Sequence, residues 1–420
     1  MSAERLPIAA IAGLGLTQNI GYGTLYYSFS ILAPSMARDF AVSNEWIFGA
    51  LSVALLAGGF LAPWLGKWID RYGAGRMMTI GSILAAVSLI LCSLSPNALM
   101  FAGALTIIEI AANLVQYGAA FALLVQLAPN VAQRSITYLT LIAGFASTIF
   151  WPITTTLQHW LTWQQTYLLF ACLHLFLCVP VHLLLARSIA KIGRKRSTNG
   201  TVTTAFSGDL PAHQRRKGFV LILVAFSTQA LVAAAILVHM VPMLGALGLA
   251  GSAAFIGAIF GPSQVASRLI NMLGGKNLAP ISLAVISASL MGLALIVLLF
   301  GAPSIVATML FACLFGFGNG LFSIVSGTLP LSLFGSDGYG AMQGKIMSAR
   351  LIVSATAPFA MASGIANFGA IWSLSILALS SVLGVAMLTA LKLLRQCQLS
   401  ISRSWQRDDR NWSAFLPSMS

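Results

Sequence analysis

Read for hydropathy alone, the chain alternates long apolar runs with short polar breaks. The runs fall near 7–35, 46–66, 76–95, 98–128, 134–157, 163–186, 217–245, 252–272, 279–300, 303–332, 343–366 and 370–393. Each has about 20 residues or more, the length a helix needs to cross hydrocarbon. The pattern predicts an all-α membrane protein of twelve transmembrane helices. An even count places both termini on one side. The longest break, 187–216, carries Arg187, Lys191, Arg194, Lys195, Arg196, Arg215 and Arg216 around a polar middle, Ser197 to Ser207. It is too polar to span and too long for a turn. The expected organisation is an N-terminal six-helix bundle over 1–186, a cytoplasmic basic linker over 187–216, a C-terminal six-helix bundle over 217–393, and a cytoplasmic tail over 394–420, basic and poorly ordered.

Helix breakers recur between the halves. Pro34, Pro63, Gly118 and Pro152 in spans 1, 2, 4 and 5 match Pro242, Pro262, Gly318 and Pro358 in spans 7, 8, 10 and 11, at offsets of 208, 199, 200 and 206 residues. A shared offset predicts a duplicated six-helix unit and two pseudo-symmetric bundles, the architecture that rocks about a central site.

Composition narrows the class. With 58% hydrophobic and 8% charged residues and a mean hydropathy of +0.89, no fully water-facing surface can be built. The net charge of +14 does not imply nucleic acid, because the basic residues stand between or after the spans, where an anionic leaflet accounts for them. The outer loops hold only Arg38, offset by Asp39 and Glu45, so the termini and basic breaks are expected in the cytoplasm of a bacterial cell, with the chain multi-pass in its inner membrane. The cysteines, Cys92, Cys172, Cys178, Cys313 and Cys397, lack metal or redox spacing. No phosphate-binding loop, channel-type ring or nucleophile constellation is visible, so neither metal, cofactor nor catalytic residue is expected. The partners expected are a small-molecule solute and the bilayer, with no nucleic acid, for a monomeric protein that is not an enzyme.

One short break is distinctive: Gly66-Lys67-Trp68-Ile69-Asp70-Arg71-Tyr72-Gly73-Ala74-Gly75-Arg76. Gly66 and Gly73 suit reversal and close approach, and Asp70 suits helix N-terminal N–H groups or a neighbouring Arg. Gly66, Asp70, Arg71, Gly73 and Arg76 resemble the loop between helices 2 and 3 of the major facilitator superfamily, roughly G-x-x-x-D-R-x-G-x-R, with one extra residue before the last Arg. The resemblance implies the major facilitator fold and a conformational role for the loop, latching the halves in the outward-facing state. Gly21-Tyr22-Gly23, Trp163 with Tyr167, and Arg268 look like the monocarboxylate-transporter-like branch. That branch has Asp four residues before the Arg, where this chain has Gln264, and a span-1 Lys that has no counterpart here.

Polar residues inside spans are costly and usually face the bundle interior. Gln18, Tyr22 and Tyr26 recur at helical spacing in span 1, as do Glu109, Asn113, Gln116 and Tyr117 along span 4. With Trp151, Gln229 and Asn319, the candidate solute-binding set is Gln18, Tyr22, Tyr26, Asn113, Tyr117, Trp151, Gln229 and Asn319. A helix–helix hydrogen bond worth about 0.6–2 kcal/mol is the competing role for any one of them. Glu109 is the only acid deep in a span, and His239 the span-7 ionisable group away from its ends; both are candidates for proton coupling. Aromatic faces and amides suit a flat, neutral heteroaromatic solute, and some riboflavin importers of the superfamily are compatible with this cavity. The expectation is a secondary transporter working by alternating access, with riboflavin uptake as the leading solute and efflux of a toxic molecule or monocarboxylate transport as alternatives.

Overall fold

The computed structural model describes residues 6–198, 206–249, 251–275 and 278–413. These form twelve helical rods, numbered here as the spans: α1 (8–39), α2 (Asn44–Tyr72), α3 (Ala74–Ser93), α4 (Ala98–Leu127), α5 (Pro129–Leu157), α6 (163–198), α7 (212–249), α8 (Ala253–Gly274), α9 (Pro280–Gly301), α10 (Ile305–Phe334), α11 (Tyr339–Phe368) and α12 (Ala370–Ser413). Ten of them contain stretches long and apolar enough to cross a membrane; α1, interrupted by a π-helical turn, and the 22-residue α8 complete the set. At the end opposite the Gly66–Arg76 loop the starts of α2, α4, α6 and α10 are capped by side chains. Ser43 accepts from the Trp46 amide, Asn97 from Met100, Ser304 from Ala307, and Thr162 forms a capping box with Gln165.

Several rods are not continuous α-helix. α1 passes through a π turn at Gly23–Tyr27, α4 breaks at the extended Gln116, α5 kinks where Ala143 gives way to Ala146, and α11 restarts at Ala357. Such breaks occur in membranes only where side chains or a cavity satisfy the freed backbone. Gln18 does so for α4, its Nε2 donating to the Val115 carbonyl at 2.6 Å.

Four buried apolar clusters hold the rods together. At the end opposite the loop, one cluster around Phe29, Leu89, Phe101 and Phe170 lies wholly in the first half, and another around Met243, Leu295, Phe311 and Leu374 wholly in the second. At the end that carries the loop, called the basic end below, the first half's cluster takes in Leu331 and Tyr339 from the second half. The halves therefore touch at the basic end and along α2–α11, and stand apart at the other.

Two expected boundaries differ. α6 runs on to Thr198, α7 begins at Ala212, and α12 continues to Ser413, past the expected start of a loose tail; no glycine or proline stands between Gly384 and Pro417 to stop it. The linker's second part is strapped to the basic end of α10. The Asp209 and Leu210 amides donate to Ser332 and Leu333 carbonyls at 2.9 and 3.0 Å, the Ser336 amide to Phe206 at 2.9 Å, and Arg395 pairs with Asp209 at 2.6 Å. Residues 199–205 of the linker and 414–420 of the tail lie outside the described residues.

Candidate solute site between the halves

The first half supplies a wall of rings. The π turn widens α1 locally, so Tyr27, five residues on, joins Tyr22 at 6.4 Å between centroids, while Tyr26 meets Tyr27 edge-on at 5.3 Å. A regular 3.6-residue spacing predicts Tyr26 on this face and hides Tyr27. Tyr117, first residue after the break in α4, lies 4.8 Å from Tyr22 and stacks on Phe121 at 5.0 Å. Trp151 of α5 stands edge-on to Tyr27 at 6.0 Å. Tyr26 and Trp151 are 44% and 47% exposed, so both rings offer free faces.

The second half supplies two cations. Arg268 of α8, 5% exposed, donates from Nε to the Gly320 carbonyl at 3.2 Å and from Nη2 to Gln264 Oε1 at 3.4 Å; Asn319 Nδ2 donates to the same Gln264 oxygen at 3.1 Å. Its Nη1 has no partner. That nitrogen lies against Gly144 in the kink of α5, where a Cβ would overlap it. Arg268 thus crosses the seam between halves. Arg350 of α11 rests over the Phe322 ring at 5.1 Å with Nε unpartnered. Arg350 is within electrostatic reach of the Tyr22 hydroxyl, and Arg268 of Tyr27 and Tyr117. Neither arginine has a carboxylate partner among the described residues.

Beside this site is a narrow crevice of about 40 Å³, with Glu109, Asn113 and Gln116 of α4 on one wall and Gly66, Gln343 and Gly344 among the others. Glu109 is 6% exposed. Asn113 Nδ2 donates to the Glu109 and Gly58 backbone carbonyls at 2.9 and 3.4 Å and Gln18 to Val115, so neither amide is committed to the Glu109 carboxyl. The structure brings Tyr22, Tyr26, Tyr117 and Trp151 into one array, with Gln18 behind it as a brace. Gln229 is buried against Gly384 of α12, with both amide atoms unpartnered. His239 is half-buried on α7 with Nδ1 unpartnered. Arg268, Arg350, Tyr27 and Gly144 are additions to the sequence-derived set. The i,i+4 pair Gln264/Arg268 carried the signal for one of them.

At the basic end Asp70 reaches the other half. Its Oδ1 accepts from the Gly340 amide at 2.8 Å and its Oδ2 from Ala341 at 2.7 Å, the first turn of α11. Gly66 and Gly344 abut there, and a Cβ on either would collide with backbone of the other helix. The reversal belongs to Gly73 alone, at φ +89°. Arg71 lies over the Tyr72 ring at 5.3 Å, and Arg71 and Arg76 are both exposed.

Twelve rods thus stand in two halves that Asp70 joins at the basic end. The model of the Major Facilitator Superfamily matches residues 14–358. The chain belongs to the major facilitator superfamily. It is a multi-pass membrane transporter of small-molecule solutes and not an enzyme. Similar solved structures include the proton:xylose symporter XylE bound to 6-bromo-6-deoxy-D-glucose (14% identity, 91% of this chain and 96% of that one, TM-score 0.68). Others are the human organic anion transporter MFSD10 (17%, 91% and 98%, 0.66) and the transporter FucP in its outward conformation (15%, 92% and 99%, 0.69). At these identities the likeness concerns the fold alone. No curated protein matches the chain.

Proposed function

We propose that this transporter moves a small aromatic solute bearing one anionic group across a bacterial inner membrane. The observation that carries the reading is the pair Arg268 and Arg350, each within electrostatic reach of the tyrosines, each with one unpartnered nitrogen, and neither with a carboxylate partner among the described residues. A desolvated cation without a counter-charge is costly, and an anion on the solute offsets that cost with charge-assisted hydrogen bonds. The rings of Tyr22, Tyr26, Tyr27, Tyr117 and Trp151 then take the solute's flat face. Riboflavin offers the ring without the charge, lactate the charge without the ring, and an aromatic carboxylate both. Asn319 shapes the site by holding Gln264 against Arg268. The basic end is the cytoplasmic end by the positive-inside rule, with both termini there, and Glu109 is the proton-coupling group.

Competition against uptake in reconstituted vesicles tests this. We expect benzoate-type solutes to compete best. Arg268→Gln and Arg350→Gln should each weaken them by tenfold or more, since a charge-assisted hydrogen bond is worth roughly 1.5–3 kcal/mol. Trp151→Leu should cost about fivefold through a lost ring contact of ~1 kcal/mol. Competition by riboflavin with silent arginine variants would return the solute to a neutral flavin. Competition by lactate with silent aromatic variants would make it a simple monocarboxylate.

A further inference from the structure

Two π turns meet inside the first half, Gly23–Tyr27 of α1 and His174–Cys178 of α6. A π turn holds one residue more than an α-helical turn, and such turns are frequent at functional sites. In α1 no proline fixes where the extra residue sits, so neighbouring helices must select its place. Thr24 Oγ1 lies 2.8 Å from His174 Nε2 and 2.7 Å from the Ile20 carbonyl. A hydroxyl has one proton. Both contacts are hydrogen bonds only if Thr24 donates to Ile20 and His174 donates from Nε2 to Thr24. Thr24 and His174 are each 1% exposed, and His174 Nδ1 has no partner. Gly23 lies against the Phe150 ring, where a Cβ would overlap it, and Phe150 meets Phe170 edge-on at 6.2 Å. Phe170 and His174 are one turn apart on α6. Through them α6 grips the first two residues of the α1 turn.

The turn decides which ring faces the solute. Tyr27 meets Tyr22 at 6.4 Å and Trp151, the residue after Phe150, at 6.0 Å. Moving the extra residue past Tyr27 would turn that ring away by about 100°, one residue's rotation, and bring Tyr26 round in its place. We propose that His174 is a positioning residue for the solute site: its bond to Thr24 locks the π turn of α1 and so aims Tyr27 into the ring wall. Buried behind the wall, it acts through Tyr27. The part Tyr27 plays in binding rests on the aromatic-solute reading above; the aim of its ring does not. His182, two turns on, is the contrast. Its Nδ1 and Nε2 are both partnered, by Ser82 at 2.8 Å and Thr17 at 3.0 Å, and neither partner belongs to a π turn. It ties α6 to α1 and α3 without touching the turn.

The test uses the full chain in vesicles with its native cysteines replaced. Tyr27→Cys and Tyr26→Cys are compared by rate of thiol modification from the end opposite the Gly66–Arg76 loop. His174→Phe should lower the ratio of the rate at 27 to that at 26 by roughly fivefold, the worth of one net hydrogen bond. Thr24→Val, which removes the same bond from its other side, should do likewise and serves where His174→Phe fails to insert. His174→Gln, whose amide nitrogen reaches as far as Nε2, should restore most of the ratio. His174→Asn, one bond shorter, should not, and His182→Asn should leave the ratio unchanged. Uptake of labelled benzoate reads the same variants in chains that keep Tyr27. KM should rise about fivefold in His174→Phe with the maximal rate unchanged at matched abundance, and no further rise should follow when Tyr27→Leu is already present. An unchanged thiol ratio in both His174→Phe and Thr24→Val would overturn the proposal. So would an equal fall in His182→Asn, which marks loosening of the whole half, or a lowered ratio beside an unchanged benzoate KM. A lowered ratio in a chain whose parent takes up no benzoate would support the positioning of Tyr27 and overturn the aromatic-solute reading instead.

Discussion

Asp70 joins the halves with two oxygen atoms. Each accepts one backbone N–H from the first turn of α11, where the helix dipole also favours a negative charge. Its partners are amides with no side chain of their own to mutate, so the carboxylate is the component that can be tested. Asp70→Asn keeps one acceptor, turns an NH2 toward a donor, and removes the charge. The loss should be about 1–3 kcal/mol of the closed basic end, or roughly 5- to 150-fold in the ratio of closed to open. We expect normal insertion, slower initial uptake at matched abundance, and faster thiol modification of a cysteine at Met347. Rates equal to the parent chain in both assays would remove the latch role. Arg71 and Arg76, exposed beside it, should matter less to closure and more to orientation.

At the scale of elements, the seam between α2 and α11 is built from missing side chains. Gly66 meets the Gly340 backbone and Gly344 the Ala62 carbonyl, so the helices approach to backbone contact. Gly344→Val should force them apart and destabilise the closed basic end more than Asp70→Asn does. Gly103→Val, at a site with open space around it, should leave transport near normal, its effect limited to a gain in helix propensity of under ~1 kcal/mol. Matched uptake rates for Gly344→Val and Gly103→Val would show that the seam does not bear on transport. The rods themselves were legible in the sequence, because twenty apolar residues admit few structures in a membrane. The breaks within them were less so. Tyr27 joins the site through a π turn whose sequence, Gly23-Thr24-Leu25-Tyr26-Tyr27, has no helix-breaking proline. The seat of Arg268 depends on Gly144, 124 residues earlier, a pairing that spacing along one helix cannot show. Gln229 is buried beside Gly384 of α12 with both amide atoms unpartnered, a placement that polarity within one span does not specify.

At the scale of the molecule, a buried cluster and the Asp70 bonds join the halves at the basic end, while the clusters at the other end each stay within one half, as expected of one of the two states an alternating-access carrier must visit. A coupled carrier also needs a group whose protonation biases that exchange. Glu109 has the position for it: mid-depth in α4, 6% exposed, and lining a crevice that leads past Gln116 and Gln343 to the Gly66 and Gly340 seam at the basic end. At about 40 Å³ the crevice has room for a few waters at most, since one water needs roughly 10–15 Å³. It can therefore pass a proton without passing the solute. The nearby amides of Asn113 and Gln18 are spent on backbone carbonyls, so the carboxyl is free to change charge without breaking a bond that holds the fold. Glu109→Gln fixes the neutral form at nearly constant volume. Exchange of labelled for unlabelled solute should continue at the parent rate, because the ring and arginine contacts are intact, while accumulation against a gradient driven by an imposed pH difference should disappear. Gln343→Leu should slow pH-driven accumulation by drying the crevice, with exchange again preserved. Full accumulation by Glu109→Gln would place the coupling elsewhere, and loss of exchange along with accumulation would mark Glu109 as part of the solute site.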